Sequence, residues 1–145
     1  MPDFDRSQST GYMTNWAARL FARAIDRQLA PLGVSSGYLP VFFALGGGAE
    51  LTQSALANVA AIEQPTMANT LGRMERDGLI ERRPDPNDRR SALVRLGAEG
   101  RRVASRVLSG AQSVNEMALA GLNAQERKTY LTLLARVIDN ISAAL

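Results

Sequence analysis

The chain has 145 residues, 46% of them hydrophobic and 21% charged, which suits one domain or two closely packed subdomains and excludes a disordered chain. It holds no Cys and no His, so disulfides, thiol redox sensing, thiolate zinc sites and histidine-dependent catalysis are excluded. The net charge is only +3, yet over half of the basic residues fall between Arg73 and Arg106, and that concentration points to an anionic partner.

Residues Met1 to Thr10 are polar and lack the charged-then-apolar pattern of a signal peptide; up to Ser9 they are expected to be mobile. No apolar run approaches the roughly 18 residues of a membrane span, so a cytoplasmic protein is the default expectation. From Thr10 to about Ala30, Trp16, Leu20, Ala24 and Leu29 recur at helical spacing, and Phe21 and Ile25 widen that face. Pro31 and Gly33 end the helix. Trp16 with Arg19 and Arg23 has the chemistry of an aromatic-acid pocket, because indole and guanidinium together suit such a ligand. The competing account packs Trp16 in a core or interface and leaves the arginines solvated. Ser35 or Ser36 can cap a second helix carrying Leu39, Val41, Phe42 and Leu45, with Pro40 in its first turn. Gly46-Gly47-Gly48 closes it; no Lys-Ser/Thr follows, so this is not a phosphate-binding loop.

Glu50-Leu51 is placed as a very short strand. Thr52 is the expected N-cap of a third helix, Gln53 to about Val59, with Leu56 and Val59 inward. Gln53 and Ser54 then stand at a helix N-terminus, which suits either a phosphate or plain capping. After a turn near Ala61, a fourth helix starts around Gln64-Pro65-Thr66, where proline loses no needed donor. Met67, Leu71 and Met74 make its buried stripe, so Gln64, Thr66, Asn69 and Arg73 point away. Gln, Asn and Arg make bidentate bonds to purine edges, and Thr bonds to either base or touches a thymine methyl. A merely solvated polar face is the alternative.

Gly78 is expected to end that helix in the left-handed conformation. Leu79 to Arg83 and Ala92 to Leu96 alternate apolar and charged positions, as strands of a hairpin do. The loop between them, Pro84 to Arg90, is rich in turn formers. At its tip Asp88 is expected to orient a neighbouring arginine by an ion pair while Arg90 projects. A long helix from Ala98 toward Leu119 follows, with Val103, Val107, Val114 and Met117 as its seam and Gly110 as a weak point or bend. Asn123 with Glu126 makes a capping box for a last helix carrying Tyr130, Leu131, Leu134, Val137, Ile138, Ile141 and Leu145. The first helix and the two end helices hold more apolar surface than the centre needs, which suggests burial against a second copy; an intramolecular core is the other account.

This order of elements, with Leu51-Thr52-Gln53-Ser54-Ala55-Leu56-Ala57, Gln64-Pro65-Thr66-Met67 and Arg73 to Arg82, resembles the MarR family of winged helix-turn-helix regulators. The most specific part is Pro84-Asp85-Pro86-Asn87-Asp88-Arg89-Arg90-Ser91, followed by Val94-Arg95-Leu96 and Glu99-Gly100. The resemblance implies a mainly α fold with a small β-hairpin. A winged helix-turn-helix lobe (36–97) would join a helical dimerisation platform (1–35 and 98–145). It implies a homodimer on a pseudo-palindromic operator, with Gln53, Ser54, Gln64, Pro65, Thr66, Asn69, Arg73, Asp88, Arg89 and Arg90 at the DNA. The fourth helix would enter the major groove, Arg90 would enter the minor groove, and Asp88 would orient it. Family members usually repress genes and often release DNA on binding a small aromatic or phenolic acid. Trp16, Arg19, Arg23, Tyr38 and Phe42 are the candidates for that ligand. No cofactor, metal, catalytic residue or membrane partner is implied. Gly97 stands where the family often has Thr, and Asn69 where it often has Arg; the lack of Cys excludes the peroxide-sensing branch. A winged helix used only for protein contacts, or a ligand-independent regulator, is the alternative. An enzyme would need paired carboxylates, and Glu75, Asp77, Asp85 and Asp88 all have arginine neighbours in sequence instead.

Overall fold

A computed structural model describes residues 1–145. Its elements run α1 (Thr10–Leu29), α2 (Leu39–Leu45), β1 (Leu51–Thr52), α3 (Gln53–Ala60), α4 (Gln64–Arg76), β2 (Ile80–Asp85), β3 (Asp88–Leu96), α5 (Ala98–Ala118) and α6 (Ala124–Ala144). The chain forms two compact units, 1–111 and 112–145. No single helix is long and apolar enough to cross a membrane.

In the first unit the core forms where the helical stripes meet one face of the hairpin. Leu56 of α3, Met67, Leu71 and Met74 of α4, Ile80 and Val94 of the strands, and Val103 and Val107 of α5 are all almost wholly buried. Leu29 of α1 and Val41 and Leu45 of α2 belong to the same cluster. The expected spacing in α4 therefore selects the buried face. In α3 it does not: Leu56 and Ala57 are buried, whereas Val59 is 69% exposed. The Leu56–Ala57 pair sets the buried face, and Val59, about 200° round the helix from Ala57, is turned away from it.

The three strands lie in the order β1-β3-β2, both pairs antiparallel. β1 pairs through Leu51↔Val94 and Thr52↔Leu93, and β2 pairs with β3 from Ile80↔Leu96 to Asp85↔Asp88 with an irregularity at Pro84/Asp85. The strands extend further than their alternation suggests, and Pro86 and Asn87 alone make the turn. Gly78 takes the left-handed conformation (φ 73°) that ends α4.

Several local expectations give way to longer-range contacts. Asp26 of α1, not Ser35 or Ser36, serves the start of the second helical segment by accepting from the Ser36 amide at 2.7 Å. Arg6–Gln8 form a short 3-10 turn capped by Asp5, and the Arg6 guanidinium lies 4.5 Å above the Trp16 ring. Gly110 does not interrupt α5; a Cβ there would meet Leu29 Cδ2 at 2.6 Å, so the missing side chain lets α1 approach. In α5, Met117 is 63% exposed rather than part of the seam.

In the second unit, Asn123 and Glu126 form the expected reciprocal capping box. Arg127 donates to the Leu122 and Leu119 carbonyls and pairs with Glu116 at 2.8 Å, which satisfies acceptors left over at the end of α5. Tyr130, Leu131, Leu133, Ile138 and Ile141 of α6 are exposed in the single chain.

Two helical glycines test this packing in opposite directions. An added Cβ at Gly100 would collide with the Leu79 carbonyl oxygen, whereas at Gly72 it meets nothing within 4 Å. Gly100→Ala should lower stability by about 1–3 kcal/mol, since overpacking against backbone outweighs the gain in helix propensity. Gly72→Ala should raise it by about 0.5–1 kcal/mol. Urea denaturation of the two variants decides both signs.

Candidate nucleic-acid interface

The turn between α3 and α4 sets the angle of the second helix. Ala61 closes α3 in the left-handed conformation (φ 53°), and the Ile62 amide returns to the Ala57 carbonyl at 3.0 Å. A non-glycine residue held there costs about 1–2 kcal/mol, which the burial of the flanking stripes offsets. Thr52 caps α3 by accepting from the Ala55 amide at 3.2 Å. Gln53 is half-buried and Ser54 exposed. Gln64 Nε2 donates to Ser54 Oγ at 3.3 Å, which joins the first turns of α3 and α4.

On α4, burial of Met67, Leu71 and Met74 turns Gln64, Pro65, Thr66, Asn69 and Arg73 outward, and all five are exposed. Thr66, Asn69, Thr70, Arg73 and Arg76 line one shallow surface groove. Arg76 is absent from the residues singled out in the sequence, although its spacing of three from Arg73 is the signal that places it on the same stripe.

At the wing tip both acids fold the turn instead of pairing with arginine. Asp85 Oδ1 accepts from the Asn87 amide at 2.9 Å, and Asp88 Oδ1 accepts from the Arg90 amide at 3.0 Å. The expected Asp88 ion pair is thus replaced by a bond to backbone, because the carboxylate reaches the amide two residues ahead without ordering a long side chain. Arg89 and Arg90 are exposed and in no salt bridge.

The base of the wing is different. Arg83 makes a two-pronged bond to Glu50, Nε to Oε1 at 2.8 Å and Nη2 to Oε2 at 2.6 Å. Arg95 reaches Glu50 at 3.4 Å and Glu81 at 2.8 Å, Arg101 lies 3.8 Å from Glu81, and Arg82 lies 3.5 Å from Glu75. The basic cluster is therefore sorted. Arginines at the base are neutralised by glutamates, while those of α4's outer face and the wing tip are left free.

The effector candidates are not gathered in one place. Phe42 lines a cavity of about 280 Å³ with Leu39, Phe43, Leu96, Val107 and Leu108, where Ser105 supplies the one hydroxyl. Tyr38 is buried in the core. Trp16, Arg19 and Arg23 lie along α1 outside that cavity; Trp16 packs edge-on against Tyr12 at 6.3 Å, and the Arg19 guanidinium sits 6.0 Å from the Tyr12 ring.

The model of the MarR family matches residues 32–91. The HTH-type transcriptional repressor NicR of Pseudomonas putida is 26% identical over 94% of this chain and 87% of its own length. YdgJ of Bacillus subtilis, an HTH-type transcriptional regulator, is 33% identical over 76% of this chain and 67% of its own length. Among solved structures, the PcaV transcriptional regulator of Streptomyces coelicolor, in complex with its natural ligand, is 26% identical with a TM-score of 0.81, covering 96% of this chain and 98% of that one.

The Glu50 carboxyl is held below the ordinary glutamate range, first by its hydrogen bonds from Arg83, against partial desolvation, and then by the charges of Arg83 and Arg95. A lowered folded-state value means that its stabilising effect is complete above the unfolded value of about 4.3 and is lost as pH falls through the lower one. The melting-temperature gap between the parent and Glu50→Gln should hold steady from about pH 6 to about pH 5 and shrink on further acidification.

Proposed function

The chain belongs to the MarR family of winged helix-turn-helix transcriptional regulators, which bind DNA, and from that premise we propose a cytoplasmic, homodimeric repressor that reads a pseudo-palindromic operator and is released by a small aromatic or phenolic ligand. The observation that carries the DNA reading is the sorting of arginines. Free guanidiniums remain on the exposed stripe of α4 and at the wing tip, the two places suited to a wide groove and a narrow one. In this reading Thr66, Asn69 and Arg73 meet base edges, with Gln64 and Pro65 at the helix entry. Gln53 and Ser54 lie against phosphate, and Arg90 enters the minor groove beside Arg89 with Asp88 holding its backbone.

Dimerisation is supported by the unpartnered apolar residues of α6 and by exposed Tyr12, Met13 and Leu20 of α1. The repressor sense follows NicR, whose name says as much of that protein. An effector is supported by the ligand complex of PcaV and by the cavity at Phe42. That cavity has a hydroxyl but no cation among its lining residues, which favours a neutral phenolic ring there. A carboxylate ligand instead calls on Arg19 or Arg23 with Trp16.

Arg90→Ala should weaken operator binding by about 1–3 kcal/mol and flatten the salt dependence by about one unit of slope, with the dimer intact by sedimentation. Arg73→Ala should alter base preference as well as affinity. A duplex affinity that ignores salt would transfer support to a protein-contact role. Melting curves with neutral phenols and with aromatic acids test the effector: a true ligand at a hundredfold over its dissociation constant adds about 2.7 kcal/mol, and no shift with either class points to a ligand-independent regulator.

A further inference from the structure

We infer that Glu50 is a positioning residue for DNA binding: its carboxylate, clamped between Arg83 of β2 and Arg95 of β3, fixes where Arg89 and Arg90 stand relative to α3 and α4. This rests on the DNA-binding role proposed above and assigns it a residue that does not itself reach the nucleic acid.

β1 holds the hairpin to the helix-turn-helix by two paired positions, Leu51↔Val94 and Thr52↔Leu93. An isolated two-stranded hairpin is marginal in water, so its angle depends on what braces its base. Thr52 caps α3, and two residues earlier Glu50 grips both wing strands. One short segment thus ties the wing to the helix pair, beside the 3.5 Å contact of Arg82 in β2 with Glu75 in α4. Arg95 passes the contact to Glu81, and Arg101 links Glu81 to the first turn of α5.

Leverage makes the brace matter. Arg83 lies three residues before the Pro86–Asn87 turn, so the tip extends about 10 Å beyond it at strand rise. A modest rotation at the base moves the tip by an ångström or more. The minor groove is only about 6 Å wide, and an inserted guanidinium tolerates little misplacement. Asp85 and Asp88 fix the local turn but have no bond to the helix pair, so they do not replace this brace.

The test is a double-mutant cycle on an operator recovered by selecting randomised duplexes with the parent dimer. Glu50→Gln keeps the shape and removes the charge. It should weaken binding about three- to thirtyfold in the parent, and have less than about a twofold effect in an Arg89→Ala/Arg90→Ala background, where there is no wing arginine left to position. Glu50→Asp should restore part of the loss in the parent only. A loss of folded protein lowers both backgrounds alike, so equal effects in the two would overturn the inference, as would no effect in the parent. If selection recovers no site, or the double alanine variant binds as the parent does, the DNA-binding proposal fails and this inference falls with it. If those controls behave and the Glu50 effects are additive, the positioning role alone is wrong.

Discussion

The junction between the end of α4 and the start of α5 is the contact on which the rest of the lobe depends. The Leu79 carbonyl accepts from the Gly97 amide at 2.9 Å. A side chain at Gly97 would stand 2.6 Å from the Gly78 carbonyl oxygen, and one at Gly100 would stand closer still to that of Leu79. Two glycines are thus required by close approach of backbone, not by turn geometry. They press the outgoing helix against the point where the chain passes from α4 into β2. Helix α4, the hairpin and the head of α5 consequently share one rigid corner.

Around that corner, charge is distributed by partner and not by sequence density. Glu50, Glu81 and Glu75 neutralise the guanidiniums that lie against the body of the lobe. Exposed pairs of this kind add little stability singly, and a forked pair within a network fixes geometry better than it adds energy. What remains uncompensated lies on the outer stripe of α4 and at the hairpin tip. A basic cluster in sequence is thereby divided into a scaffold and a working surface.

The family and the element order were legible before any coordinates, because the periodic stripe Met67, Leu71, Met74 and the wing segment Pro84 to Ser91 each carry their own physical signature. Gly78 and the Asn123–Glu126 box were legible for the same reason: their partners lie within a few residues. What escaped was nonlocal. Asp26 serving Ser36 spans ten residues, and Glu50 gripping Arg83 spans thirty-three. The left-handed Ala61 carries no composition signal, since that conformation is ordinarily given to Gly or Asn. Gly97 reads in the sequence as a departure from the family's Thr and Gly110 as a weak spot, yet both are sites where another element comes too near for a side chain. Asp88 sits at the expected tip but accepts from a backbone amide, a bond that competes with an ion pair equally written in the residues.

The tip of the hairpin carries two carboxylates and two guanidiniums within six residues, so their formal charges sum to zero although no ion pair joins them. Its acids are turned into the loop by their amide bonds, and only at short range does the positive side separate from the negative. The field of such an arrangement falls off faster with distance than that of a net charge, and physiological salt screens it further over roughly 8 Å. On the proposed reading, a finger built this way adds little to the first encounter with a polyanion and acts once the groove is within touching distance.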